Sequence, residues 1–315
     1  KSFILFFMNQ TEENQEELES IGEKTALVSI IGRPSAGKST FLNTACGKKV
    51  SIVSSIPQTT RNAIRGIVNT SLGQIVFVDT PGLHLSDKKM NLKLTKTASE
   101  QISDSDAILY IIDSTREHGE EEKFIANLAK PFAEKMVVAI NKTEMPSSKK
   151  DESLKFVKET LPLIPDSRII LISAKEDQNV NEVLRELYAL APKAPQLYPE
   201  EYYTDQEVDF RIAEIIREQA INRLEQEIPH SIYVSIEDMK MVKENLLRVR
   251  AILYVERESQ KGIVIGKGAA MIKTIRIESI KACRKIFPYR VDLDLQVKVD
   301  KNWRQKDAVL TRILK

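Results

Sequence analysis

The chain has 315 residues, of which 42% are hydrophobic and 29% are charged. This size and composition favour two domains, each able to bury its own core, over a single compact domain. The apolar run at residues 3–8 is far shorter than the roughly 20 residues needed to span a bilayer. It also lacks the small-residue cleavage site of a secretory signal. We therefore expect neither a transmembrane helix nor a cleaved signal.

The net charge of +2 is unevenly distributed along the chain. From Lys261 onward, 14 Lys and Arg residues stand against 5 Asp and Glu residues, a net charge of +9, whereas the upstream part is acidic. A basic segment of this kind predicts a polyanionic partner, although charge alone fits a solvated surface equally well. Cys46 and Cys283 have no metal-ligand spacing around them, which predicts inert thiols in a reducing compartment, the cytoplasm.

The pattern along the chain divides it into four parts. Residues 1–25 are predicted to form a disordered lead-in, because residues 11–24 are rich in Glu, Gln and Asn and almost lack apolar side chains. Residues 26–191 predict an α/β domain, in which a mostly parallel sheet has helices on both faces. Residues 192–204 contain three prolines and predict a linker. Residues 205–315 predict an α+β domain with an antiparallel-type sheet, the order helix, strand, strand, helix, helix, strand, and a terminal helix.

The α/β prediction depends on short apolar runs separated by amphipathic stretches. The runs are Leu27 to Ile31, Ile75 to Val78, Ala107 to Ile112, Met136 to Ile140 and Ile169 to Ile172.

Residues 32–39, Gly-Arg-Pro-Ser-Ala-Gly-Lys-Ser, match the phosphate-loop pattern between a predicted strand and a predicted helix. Its glycines let the backbone curl so that successive N–H groups face the phosphates. Lys38 is expected to reach the β- and γ-phosphates, and the Ser39 hydroxyl to ligate Mg²⁺. The predicted nucleotide ligands here are Gly32, Ser35, Ala36, Gly37, Lys38, Ser39 and Thr40.

A second motif, Asp-Thr-Pro-Gly at residues 79–82, follows an apolar run. This position predicts that Asp79 holds Mg²⁺ through water. Gly82 is expected to donate its N–H to the γ-phosphate. Hydrolysis would remove that hydrogen bond, so the following segment would act as a switch.

Two further motifs predict the base pocket: Asn-Lys-Thr-Glu at residues 141–144 and Ser-Ala-Lys at residues 173–175. Asn141 is expected at the purine N7 edge, with the stem of Lys142 over the ring. Glu144 is expected to accept from guanine N1–H and N2–H₂, and the Ala174 N–H to bond O6. Ser173 and Lys175 complete this pocket, which predicts GTP and GDP as the nucleotides.

The order of these four motifs resembles the translation-factor-related GTPases and, among them, the Era family, over about residues 26–310. Residues 58–61, Gln-Thr-Thr-Arg, resemble the first switch of that family. The resemblance implies that Thr60 joins Ser39 and Asp79 around Mg²⁺, and that Lys38, Thr60 and Gly82 carry catalysis.

Two positions depart from that pattern, and a third agrees with it but departs from signalling GTPases. Glu144 stands where the family has Asp, and we expect guanine preference to survive. Ser35 replaces an Asn that holds potassium in related enzymes, which weakens the case for potassium stimulation. Leu83 stands where signalling GTPases have a water-orienting Gln, and this predicts slow intrinsic turnover.

Residues 263–269, Ile-Val-Ile-Gly-Lys-Gly-Ala, resemble the Gly-x-x-Gly loop of a bacterial-type KH domain. A glycine pair alone is typical of an ordinary turn, but the element order and the basic charge favour RNA binding. Ala269 replaces the fourth-position glycine and would be accommodated in a right-handed helix. The predicted RNA-binding residues are Ile263, Ile265, Gly266, Lys267, Gly268, Ala269 and Lys273.

The resemblance implies a monomeric GTPase that binds the 3′ end of small-subunit ribosomal RNA, not DNA, and acts in assembly of the small ribosomal subunit. It also implies peripheral association with the inner face of the cell membrane. One alternative is a nucleotide-gated RNA-binding scaffold with negligible hydrolysis. Another is a related GTPase that acts on transfer RNA, but those enzymes do not end in this KH-like order.

Overall fold

The computed structural model describes residues 24–54, 64–79, 102–225, 227–306 and 309. These residues form two compact units. The first unit holds residues 24–51, 64–79 and 102–205, and the second holds residues 52–54 together with the described residues from Gln206 onward. The predicted lead-in up to residue 23 lies outside the described residues.

The first unit contains a six-stranded sheet, as the apolar runs predict. Its strand order is β2-β3-β1-β4-β5-β6, with β2 antiparallel to β3 and the other neighbours parallel. The strands are β1 Thr25–Ile31, β2 Ile64–Thr70, β3 Gly73–Asp79, β4 Ala107–Asp113, β5 Met136–Asn141 and β6 Ile169–Leu171. The mostly parallel α/β architecture is thereby confirmed, and β2 is an edge strand that the sequence reasoning missed.

Helices cover both faces of this sheet. They are α1 Lys38–Ala45, α2 Glu120–Ala129, α3 Lys150–Thr160 and α4 Val180–Leu190. In β4, Leu109 and Ile111 join the core under α1 and α4, whereas Ile108 and Tyr110 join the core under α2 and α3. Because both faces of the strand are buried, its sequence is continuously apolar rather than alternating.

The proline-containing segment 192–205, which includes the linker predicted for residues 192–204, packs on the first unit. The buried side chain of Gln74 accepts hydrogen bonds from the N–H groups of Leu197 and Tyr198 at 2.9 and 3.0 Å. It also donates to the Tyr198 carbonyl oxygen at 2.7 Å. The N–H of Ile67 on edge strand β2 donates to the Tyr203 carbonyl oxygen at 3.0 Å. The segment therefore covers the edge of the sheet.

The second unit has the predicted order helix, strand, strand, helix, helix, strand. Its elements are α5 Val208–Ile221, β7 Tyr233–Lys243, β8 Leu246–Val255, α6 Glu258–Ile265, α7 Ala270–Ile286 and β9 Arg290–Val299. Strand β8 lies centrally, antiparallel to β7 but parallel to β9. The prediction of an antiparallel-type sheet is therefore wrong for β9, because the two-helix crossover returns the chain in the direction of β8.

The core of the second unit includes Ile216, Leu253, Ile275 and Leu293. Trp303 also packs inside, where its indole N–H donates to the Ser231 carbonyl oxygen at 2.9 Å, so it is not placed to stack on a base. The predicted terminal helix falls largely outside the described residues. Within the described ranges, none of the helices combines the length and the apolar character that a membrane span requires.

Candidate functional site

The phosphate loop, residues 32–37, joins β1 to α1 at the carboxyl edge of the sheet. Both of its glycines are needed because a side chain at either position would not fit. Gly32 has a φ of +147°, and a Cβ there would lie 2.3 Å from the Ile111 carbonyl oxygen. Gly37 has a φ of +100°, and a Cβ there would lie 2.2 Å from the side-chain nitrogen of Asn141. The loop can approach β4 and β5 this closely only because neither residue carries a side chain.

Lys38 lies inside the curl of the loop. Its ammonium group donates to the carbonyl oxygens of Gly32 and Arg33, each at 3.0 Å, and the residue is 7% exposed. Burial lowers the pKa of Lys38, and the negative charges of Asp79 and Glu122 oppose that shift. The amine is therefore held where phosphate oxygens can replace two carbonyl acceptors.

Ser39 and Asp79 come together as the motifs predict. The Ser39 hydroxyl donates to Asp79 Oδ2 at 2.8 Å, and the Ser51 hydroxyl donates to the same oxygen at 3.3 Å. Asp79 is fully buried, and its Oδ1 has no hydrogen-bond partner among the described residues. Burial raises the pKa of Asp79, against the opposing charge of Lys38 and the two hydroxyl donors.

This donor set fits Mg²⁺, a hard cation that prefers oxygen ligands and retains several waters. The unpaired Asp79 oxygen can accept a hydrogen bond from such a water. Sequence reasoning missed Ser51, which belongs to no recognisable motif. Thr60 and Gly82, expected at the same end of the site, lie outside the described residues, as do Leu83 and residues 58–61.

The base-pocket motifs meet the phosphate loop through Asn141, which is 3% exposed. Its amide nitrogen donates to the Ala36 carbonyl oxygen at 2.9 Å, and its amide oxygen accepts from the Ala174 N–H at 2.9 Å. The second hydrogen on that nitrogen stays available to a purine N7. The Ala174 N–H carries only one hydrogen, so the O6 contact expected for it would be shared with Asn141.

Lys142 is fixed by an ion pair that the sequence reasoning missed. Its φ is +66°, and its ammonium nitrogen lies 2.6 Å from Asp113 Oδ2. Burial opposes ionisation of Asp113, but hydrogen bonds from Lys142 and Thr115 outweigh it and hold the pKa below its ordinary value. A signal was present in the sequence, since Asp113 ends the run Ala107 to Ile112 as Asp79 ends the preceding one.

Glu144 presents an unsatisfied acceptor. Its Oε2 is buried and has no hydrogen-bond partner among the described residues. Thr143 fixes the adjoining turn, because its hydroxyl donates to the Ile172 carbonyl oxygen at 2.8 Å. A buried carboxylate oxygen is costly without a donor, and the paired N–H donors of guanine would supply one.

The other predicted nucleotide ligands surround these groups. Ser35 has a φ of +64°, and its buried hydroxyl has no hydrogen-bond partner among the described residues. Thr40 lies in the first turn of α1, half-buried. Ser173 is buried and accepts from the Glu176 N–H at 3.1 Å, whereas Lys175 is exposed.

The candidate RNA site is the turn at residues 266–269 between α6 and α7. Ile263, Lys267, Gly268 and Lys273 are exposed, and Ile265, Gly266 and Ala269 are half-buried. A Cβ on Gly266 would lie 2.9 Å from that of Met271, so this glycine is needed for close packing. Ala269 has a φ of +61°, so the right-handed conformation that would accommodate it is not adopted.

The two cysteines show no sign of reactivity. Burial raises the pKa of both thiols, Cys46 and Cys283, to about 12, as expected for inert cysteines. The described residues contain no group of three or more His, Cys, Asp or Glu side chains able to hold a metal ion.

Comparison with known proteins gives the same two parts. Residues 27–142 match the family described as 50S ribosome-binding GTPase, and residues 227–304 match the KH domain. The chain is 59% identical over 290 residues to the GTPase Era of Treponema denticola, a match covering 92% of this chain and 99% of the relative. It is 45% identical over 291 residues to the GTPase Era of Borreliella burgdorferi, with the same coverage.

Two solved structures are similar over nearly the whole chain. One is Era in complex with MgGDPNP and nucleotides 1506–1542 of 16S ribosomal RNA, and the other is a variant of Aquifex aeolicus Era bound to GDP·AlF4⁻. Each has a TM-score of 0.85 and 32% identity, and each match covers 92% of this chain and 98% of the other. The motifs, the site geometry and these matches together show that the chain belongs to the Era family of GTPases.

Proposed function

We propose that this GTPase binds the 3′ end of small-subunit ribosomal RNA through its KH domain, and acts as a GTP-dependent factor in assembly of the small ribosomal subunit. The observation that carries the proposal is a pair of sites in one chain. One is a phosphate loop that leads into Lys38 and Ser39, with the Ser39 hydroxyl bonded to Asp79. The other is a glycine turn that contains the exposed Lys267 and is followed by the exposed Lys273.

The nucleotide site supports binding of GTP with Mg²⁺. Ser39 and Asp79 are the described residues that would hold the ion, which would neutralise phosphate charge during hydrolysis. The main-chain amides of the loop bind the phosphates, and Lys38 moves its hydrogen bonds from two carbonyl oxygens to phosphate oxygens. Thr60 and Gly82 stay predictions from the family pattern.

The base pocket supports selection of guanine over adenine. Glu144 offers a buried acceptor to the donors on N1 and N2, whereas adenine lacks that donor pair. Asp113 holds Lys142 in place beside the ring. Nucleotide competition tests this step directly, because ATP at a large excess over labelled GDP should displace little of it.

The turn at residues 266–269 supports binding of single-stranded RNA. Its left-handed residues turn the backbone sharply, so that a nucleotide backbone can pass close to it. Lys267 within this turn and Lys273 in the first turn of α7 are exposed, and each can contact a phosphate. The Era relative solved with 16S ribosomal RNA is 32% identical to this chain, which supports the same class of RNA here.

The proposal is tested with a labelled single-stranded RNA copying the 3′ end of small-subunit ribosomal RNA. Lys267→Glu with Lys273→Glu should weaken binding of the full chain by about tenfold or more, because phosphate contacts supply much of the affinity. The matched control is Lys281→Glu with Lys285→Glu, at two exposed positions of α7 farther from the turn. This variant should bind nearly as well as the wild type. Equal weakening in both variants would leave the turn without a specific role.

Nucleotide gating and catalysis are separated by two further measurements. RNA affinity should differ between the states bound to GDP and to a non-hydrolysable GTP analogue, and identical affinities would reject gating. Turnover should be measurable and rise with the RNA. A chain that binds both ligands without any turnover would instead be the nucleotide-gated scaffold.

Two variants check the predicted slow mechanism. Leu83→Ala should retain turnover, because Leu cannot orient water by hydrogen bonding, whereas Lys38→Ala should abolish it. The monomeric state, the cytoplasmic location and peripheral membrane association stay predictions of the family resemblance.

A further inference from the structure

A buried ion pair lies behind the phosphate loop, outside the groups assigned to nucleotide binding. Arg33, the second residue of the loop, places its Nε 2.6 Å from Glu122 Oε2 on α2. The two side chains are only 9% and 1% exposed. Neither residue belongs to the expected set of phosphate, metal or base ligands.

Each partner of the ion pair also makes a hydrogen bond through another of its side-chain atoms. The hydroxyl of Tyr110 on β4 donates to Glu122 Oε1 at 2.6 Å, and Tyr110 is fully buried. The guanidinium of Arg33 also donates to the Glu117 carbonyl oxygen at 3.2 Å. The side chain at the start of the loop is therefore tied to β4, to α2 and to the segment between them.

Stability alone is a poor reason for such a pair. Removing two charges from water is costly, and well-packed apolar residues in their place are often neutral or stabilising. The main chain of Arg33 offers a better reason, because its carbonyl oxygen accepts the hydrogen bond from Lys38 at 3.0 Å. The residue clamped by Glu122 is thus one of the two that hold the ammonium group.

We propose that Arg33 and Glu122 are positioning residues for GTP hydrolysis, whose ion pair fixes the first turn of the phosphate loop and thereby the place of the Lys38 ammonium group. The side chain of Arg33 is turned toward Glu122 and does not act on phosphate itself. The inference rests on GTP hydrolysis at this loop.

The effect should fall on the chemical step more than on binding. Many main-chain amides and the base pocket share the binding of GDP, so that a small shift of Lys38 changes affinity little. Charge that develops during phosphoryl transfer is sensitive to the position of one cation, and a displacement of about 1 Å can cost on the order of a hundredfold in rate.

The main test replaces both partners, Arg33→Met with Glu122→Met, so that no unpaired charge is buried. GDP affinity is measured first, and then the single-turnover rate of hydrolysis of pre-bound GTP per occupied site. This rate does not change when part of the protein is merely unfolded. We expect GDP affinity to stay within about threefold and the single-turnover rate to fall about tenfold or more, which corresponds to about 1.4 kcal/mol in the barrier.

The matched control is Glu120→Met with Lys123→Met, which removes an exposed ion pair of 3.4 Å from the same helix. Its single-turnover rate should equal that of the wild type. Because the double Met variant could fail to fold, Glu122→Gln is measured as well. It keeps the shape of the side chain and an acceptor for Tyr110, and its rate should fall several-fold.

Single-turnover rates within about twofold of the wild type, in the double Met variant or in Glu122→Gln, would overturn the positioning role. If only the double Met variant fails to fold, Glu122→Gln decides the matter. A wild type that binds GTP without hydrolysing it would overturn the GTPase activity itself, and that outcome differs visibly from a defect confined to the variants.

Discussion

The side-chain amide of Asn141 donates to the carbonyl oxygen of Ala36 at 2.9 Å. One residue of the base-pocket motif is therefore bonded directly to the middle of the phosphate loop. Its amide oxygen binds the Ala174 N–H as well, so three separate stretches of sequence meet at one side chain. The distance between base pocket and phosphate loop is thereby fixed by the protein itself.

Asn141→Ala should destabilise the first unit and weaken nucleotide binding together. Each buried group left unpaired, the Ala36 carbonyl and the Ala174 N–H, costs about 1–3 kcal/mol. Thermal unfolding should therefore shift down by several degrees, and GDP affinity measured by calorimetry should fall. Lys155→Ala, at an exposed position on α3 of the same unit, should change neither quantity. If Asn141→Ala unfolded at the same temperature as the wild type, water would be replacing both hydrogen bonds.

Glu144→Gln should reduce discrimination between guanine and adenine. The substitution keeps the size of the side chain but replaces a charged acceptor of two N–H donors with a neutral amide. Removing charge-assisted hydrogen bonds should cost about 1–3 kcal/mol, which is roughly a tenfold to hundredfold decrease in GDP affinity. Competition between labelled GDP and ATP measures the discrimination between the two bases. An unchanged preference for guanine would contradict the assigned role of Glu144.

The sequence was sufficient to predict those features for which the physics permits only one kind of residue. The apolar runs that became β1, β3, β4, β5 and β6 were recognisable because strands buried on both faces cannot include many polar residues. Asp79 and Lys38 were found because phosphate chemistry requires their charges at these positions. Edge strand β2 was missed because it is only partly apolar and contains Arg65 and Gly66 near its start.

Other features depend on partners that are distant in sequence. Nothing in the proline-rich stretch shows that its N–H groups pair with Gln74, more than 100 residues earlier in the chain. The ion pair between Arg33 and Glu122 likewise joins two positions at which no motif specifies the residue. The conformation of Ala269 was open because a left-handed residue is set by the backbone on both sides rather than by its own preference.

Ala269→Gly should stabilise the turn of the second unit. Ala269 has a φ of +61°, and a left-handed conformation costs a residue with a side chain about 1–2 kcal/mol. Glycine avoids most of that cost. It also raises the conformational entropy of the unfolded chain, which offsets part of the gain in stability. We expect a net gain of up to about 1 kcal/mol, measured by denaturant unfolding of the full chain.

The neighbouring residue provides the matched control. Ala270 is right-handed, with a φ of −65°, and begins α7. Ala270→Gly should therefore destabilise the unit, so the two substitutions should have opposite signs. Equal destabilisation by both would mean that the backbone of residue 269 gains nothing from glycine.

His118 should make the first unit less stable in mild acid. The imidazole stacks on Phe156 with ring centroids 4.7 Å apart, and burial, followed by the charge of Arg33, lowers the pKa of His118. Below the unfolded value of about 6.5, the unfolded chain binds a proton more readily than the folded one. Stability should therefore fall as the pH decreases through that value toward the lower folded pKa, and should not depend on His118 above it.

His118→Phe keeps a ring against Phe156 and removes the titrating group. Melting temperatures of the two proteins should run parallel above about pH 7 and separate below about pH 6.5, where the wild type is destabilised more. Parallel curves throughout would show that the folded protein accepts the proton without cost.

The segment 192–205 determines where the GTPase part can be cut for study. A fragment ending at Ala191 keeps every nucleotide motif, but it uncovers the hydrogen-bonding edge of β2 and removes the hydrogen bonds of the buried Gln74 amide to Leu197 and Tyr198. Exposed strand edges are templates for association with other chains. Such a fragment should therefore aggregate on purification. A fragment extended to Asp205 should not aggregate and should still bind GDP.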